Sequence, residues 1–141
     1  MTRIEAAQRR LQQASDLAEV LDAAYEAFEA MLSVIHRVQD PASGWFAAYV
    51  MAAASAANGR NAVALAPSLP HRPLPAVHAR QRPWPVEQPE RVAEVMAGLS
   101  HMVAGRLARA AADAPDIDDQ IACGHAARSA RDICGLLSSR P

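Results

Sequence analysis

RIEAAQRRLQQASDLAEVLDAAYEAFEAMLSVIHRV, residues 3–38, decides the fold class of this chain. Ile4, Ala7, Leu11, Ala14, Ala18, Leu21, Tyr25, Phe28, Leu32 and Ile35 recur at alternating steps of three and four residues. That period lines up side chains on one stripe of an α-helix. The acids Asp16, Glu19, Asp22, Glu26 and Glu29 fall on the remaining faces. From Leu17 a second row, Val20, Ala24, Ala27, Met31, Val34 and Val38, widens the apolar side. A wide apolar side packs on two neighbours, so the spacing predicts one long helix over 3–39 inside a bundle.

The chain then breaks at QDPASG. Asp40 is a good N-cap and Pro41 suits a first helical position, so a second helix is predicted over 41–58, with Asn58-Gly59 as a left-handed stop and RNAVALA, 60–66, left open between loop and a further helical turn or two. Between Ala42 and Ala57 this helix carries no charge on any face. Uniformly apolar helices are buried on all sides. A third helix is predicted over 89–112, lined by Val92, Val95, Met96, Leu99, Met102, Val103, Leu107 and Ala110. Its other side is bare: Ala97, Gly98, His101, Ala104, Gly105 and Ala108. Each glycine inside a helix costs about 1 kcal/mol relative to alanine, so Gly98 and Gly105 read as points of close backbone approach. A fourth helix is predicted over 116–138, with Asp116, Asp118 and Asp119 at its favourable N-terminal end.

Between the second and third helices runs APSLPHRPLPAVHARQRPWP, residues 66–85, with six prolines, three arginines and no acid. It is neither a regular helix nor a central strand. The expectation is therefore an all-α four-helix bundle in a single domain, 1–141, with one long proline-rich crossover connection over 66–88 between helices 2 and 3. From residue 41 to 86 the only charges are Arg60, Arg72, Arg80 and Arg82. A cationic strap pinned by Trp84 or Leu74 would fit over the acidic first helix. Pro67, Pro70 and Arg72 also match the pattern of extended proline ligands, and Arg80, Arg82 and Trp84 carry the stacking and cationic groups used on single-stranded nucleic acid. Arg72, Arg80, Arg82 and Trp84 are accordingly the candidate partner contacts.

The totals narrow the function. The 141 residues are 51% hydrophobic and 21% charged, the balance of a globular domain. All fourteen basic residues are arginine, and alanine dominates the apolar count, the pattern of a GC-rich coding sequence. A net charge of −1 gives no general field toward nucleic acid or anionic membrane. The opening residues carry no signal-peptide pattern, and the most apolar stretch, 45–57, is shorter than the ~20 residues a bilayer needs. A cytoplasmic protein without membrane contact is expected.

Chemistry finds little support in the spacing. His36, His71, His78, His101 and His125 include no Glu-x-x-His pair of the di-iron kind. Cys123 and His125 are two residues apart on a helix and point apart. Cys123 and Cys134, eleven residues apart, are separated by about 16 Å on a helix and cannot bridge. No metal or cofactor is expected. His101, between Gly98 and Gly105, is the one candidate polar handle, at a helix contact or in a ligand notch. The reading is a non-catalytic helical interaction or regulatory protein that binds another macromolecule as a homodimer through its alanine and glycine faces. The alternative is a small-ligand-binding protein or enzyme with a pocket near His101.

Overall fold

Five α-helices and no strand make up the described residues, 3–70 and 88–139, of the computed structural model. They are α1 (Arg3–Gln13), α2 (Leu17–Val38), α3 (Phe46–Ala64), α4 (Pro89–Asp113) and α5 (Ile117–Ser138). No helix among them is long and apolar enough to cross a membrane.

The expected single helix over 3–39 is two. Asp16 caps α2 by accepting from the Glu19 amide at 2.8 Å, while the Glu19 carboxylate accepts from the amide and hydroxyl of Ser15. Donors that a continuous helix would bond internally are thus satisfied by side chains, and the chain turns. Those bonds, the Ser15 amide first, also hold the Glu19 carboxyl below its ordinary range. The fold-back brings Arg10 into an ion pair with Asp22. On a straight helix those two residues would stand about 18 Å apart. Across the turn, Arg106 of α4 donates to the Ala14 carbonyl. Ile4, Ala7, Leu11 and Ala14 are all buried, and α1 lies on α2 and α4.

The remaining helices form a cycle of contacts: α2 packs on α3 and α4, and α5 packs on α3 and α4. Each neighbouring pair is antiparallel. Arg60 of α3 bridges to Glu29 of α2 at 2.9 Å, and the Ser100 hydroxyl of α4 reaches the Met31 sulfur of α2 at 3.2 Å. By the same geometry α3 and α4 run in one direction from diagonal corners. They meet at their starts, where the Tyr49 hydroxyl donates to the Pro89 carbonyl at 2.6 Å.

Alanine sets the spacing. Ala23, Ala24, Ala27 and Ala30 of α2, Ala52 and Ala56 of α3, and Ala126, Ala127 and Ala130 of α5 are fully enclosed. Small side chains let helix axes approach toward the lower end of the usual 8–10 Å. Larger groups, Leu21, Phe28, Met31, Tyr49, Met96, Leu99 and Ile133, fill the layers between.

Two further boundaries differ from the sequence reading. Residues 41–45 form turns, so α3 begins at Phe46. Asn58-Gly59 does not end it: α3 runs on to Ala64 and no glycine in the described residues has a positive φ. Gly59 is buried, and a methyl group there would overlap the Phe28 ring. The glycine serves packing.

Candidate functional site

The outward side of α3 is the most unusual surface. Ala47, Met51, Ala54, Asn58, Asn61 and Leu65 are all exposed, at successive steps of four, three, four, three and four residues. Val50 flanks the row. The exposures of Val50 (43%), Met51 (57%) and Leu65 (81%) are those of side chains facing water. Among the described residues α3 is therefore covered on its inner side only, and the cover expected for its outer side, the proline-rich strap or a second copy, is not among them. Its inner half, Tyr49, Ala52, Ala56, Gly59 and Val63, accounts for the burial. Absence of charge reported what the side chains are, and left open what covers them.

Beside the end of α3, the start of α5 continues the apolar character. Ile117 and Ile121 are 63% and 50% exposed. Leu65, Ile121, Ala62, Ala122 and Pro67 line an open groove of about 220 Å³, with Asp118 and His125 at its edge. Val95 of α4 is the remaining large apolar side chain exposed among the described residues.

The bare side of α4 lies on the diagonal corner. Gly98, His101 and Gly105 are exposed, and a methyl group added at either glycine would meet nothing within 4 Å. The expected close backbone approach is therefore absent among the described residues. The imidazole of His101 stands on this open face. Arg72, Arg80, Arg82 and Trp84, with residues 71–87 of the proline-rich connection and its expected strap, lie outside the described residues. Pro70, the last residue before them, lines a polar groove with Asp16, Glu19 and Asp22.

Buried polar groups serve the fold. Asp119, enclosed near the start of α5, accepts from the amide and hydroxyl of Ser68 at 3.0 and 2.6 Å and so ties the segment after α3 to α5. One turn on, burial and the neighbouring Asp119 charge push the Cys123 thiol up to about 11. Such a thiol is protonated and a poor nucleophile near neutrality. Burial, with Glu90 nearby, pushes the Tyr49 hydroxyl up to about 12. No group of three or more His, Cys, Asp or Glu side chains among the described residues is placed to hold a metal ion.

Sequence reasoning singled out the α4 glycines and the proline-rich arginines, and passed over Met51, Leu65, Ile117 and Ile121. The signal was available: the uncharged row on α3 has the spacing of a packing seam. Comparison with protein-family models, curated proteins and solved structures finds no match to this chain.

Proposed function

We propose that this protein is a non-catalytic helical interaction module that binds another macromolecule through the outward side of α3 and its flank on α5. In this reading α2, α3, α5 and α4 constitute a four-helix bundle, α1 is a fold-back onto it, and residues 66–88 are its crossover connection. The observation that carries the reading is the clustering of exposed apolar side chains. Of the six large ones exposed among the described residues, Val50, Met51, Leu65, Ile117 and Ile121 belong to these two neighbouring helices. Single exposed apolar residues are ordinary, whereas an uncharged exposed row along one helix, extended onto its neighbour and rimmed by polar groups, marks an interaction surface. Rim groups are present: His36, Arg37 and Arg60 toward α2, Asp118 and His125 toward α5.

Site-specific photo-crosslinking in cells that make the protein tests this. A photoreactive residue at Met51 or Leu65 is expected to trap a discrete protein adduct, and one at exposed Arg9 on α1 to trap none. Equal labelling at all three positions, or none at Met51 and Leu65, removes the proposal.

A further inference from the structure

We infer that the occupant of the α3 face is a second copy of this chain, paired through α3 in antiparallel twofold contact. The inference rests on the interaction surface proposed above and names its partner.

The row on α3 is complementary to itself when reversed. A twofold axis at the level of Ala56 sets Ala47 opposite Leu65 of the second copy, Met51 opposite Asn61, and Ala54 opposite Asn58. Steps of four, three, four, three and four read the same in both directions, so no member of the row lacks a counterpart. Sizes match as well as positions. The small Ala47 receives the large Leu65, and the small Ala54 receives Asn58, as knobs enter holes in a helical seam. A parallel pairing would set Leu65 on Leu65 and alanine on alanine, leaving a bulge at one end and gaps at the other.

Charge agrees. A twofold contact brings each group on its axis against its own copy, so a central charge would repel itself. None of the six seam residues is charged, and Asn58 and Asn61 offer both donors and acceptors to the facing surface. The nearest charged side chain of α3, Arg60, lies toward α2 and is held by Glu29.

Area sets the strength. The nineteen residues of α3 give a contact about 28 Å long. Two helices touching over that length, with the Val50 flank, bury roughly 400 Å² per partner, below the ~800 Å² of a standard stable interface. A contact of that size belongs to the weak, transient class, which exchanges at micromolar concentrations or above.

Sedimentation velocity of the full chain from about 1 to about 200 μM covers that range. Monomer–dimer exchange is expected in the wild type. Met51→Glu and Leu65→Glu are each expected to weaken it at least ~30-fold with the helical circular dichroism unchanged, because each replaces a large apolar contact of the seam with a charge that has no partner across it. Gln12→Glu, an equal charge change on exposed α1, should leave it alone. The register is read by oxidation in a Cys134→Ser background. Ala54→Cys and Asn58→Cys are each expected to stay uncrosslinked alone and to form a mixed disulfide when combined, since only positions 54 and 58 of opposite copies face within bonding reach. Dimers that survive Met51→Glu, or an Ala54→Cys homodisulfide, overturn the inference. A chain monomeric throughout also overturns it; an adduct from Met51 to a different protein would then leave the interaction module standing without self-pairing, and no adduct would remove both.

Discussion

The far end of the Phe28 ring on α2 reaches Gly59 on α3 so closely that even a methyl group there would overlap it. This contact lies one residue from the Arg60–Glu29 bridge between the two helices. It explains a glycine in mid-helix, where propensity argues for alanine. Gly59→Ala is therefore expected to destabilise the fold by about 1–3 kcal/mol, the usual range for overpacking a core. Phe28→Leu, combined with it, should recover part of the loss. Urea unfolding of the single and double variants measures both.

Gly98 and Gly105 should behave in the opposite way. Both are helical, exposed and free of neighbours where a methyl group would go. Gly98→Ala and Gly105→Ala are each expected to raise stability by about 0.5–1 kcal/mol, because the helix loses less backbone entropy on folding. His101→Ala should change stability by no more than about 0.5 kcal/mol. Thermal unfolding distinguishes these from the Gly59 variant by sign.

Asp119 and Ser68 form the tie between the end of α3 and the start of α5. A buried carboxylate that accepts two hydrogen bonds is worth roughly 1.5–3 kcal/mol per strong bond, and truncation exposes the Ser68 amide to an empty site. Asp119→Ala is expected to destabilise the protein by about 3–4 kcal/mol, and Ser68→Ala by about 1.5–2 kcal/mol, since only the hydroxyl bond is lost. Chemical denaturation at pH 7 reads the two values.

Alkaline pH should weaken the fold through two overlapping titrations. In the fold, Cys123 loses its proton near 11 instead of its ordinary 9, and Tyr49 near 12 instead of 10. The unfolded chain binds fewer protons in that window, so stability falls as pH rises from 9 toward 12 and is flat with respect to these groups below 9. Cys123→Ala should remove the part of the slope that begins at 9. Unfolding free energies of the wild type and variant across that range show whether it does.

The helical class was legible because the spacing in 3–38 and 89–112 repeats over several turns. The break inside the first helix was also written in the chain, as Asp16 followed three residues later by Glu19, a capping pattern. It escaped because Leu11, Ala14, Ala18 and Leu21 keep helical spacing straight through the turn. Apolar periodicity persists when a chain folds back onto the same core, and only the local hydrogen-bonding residues report the bend. Gly59 was misleading for a related reason: a glycine after an asparagine resembles a stop, and its packing against Phe28 is set by a residue thirty-one positions away. The α3 surface was half legible. Its lack of charge was plain, but whether such a helix is enclosed depends on where α2 and α5 pack, which no pattern within α3 records.

The hydrogen bond from Tyr49 to Pro89 fixes more than a local contact, because it joins the beginnings of two helices that point the same way. The chain leaves α3 at its far end and has to re-enter at the near end of α4, a separation of about 28 Å for a nineteen-residue helix. Eighteen peptide steps separate Pro70 from Gln88 and reach about 60 Å when fully extended. Roughly half of that tether is surplus to closure, so the topology leaves room for shortening the segment without altering the order in which the helices assemble.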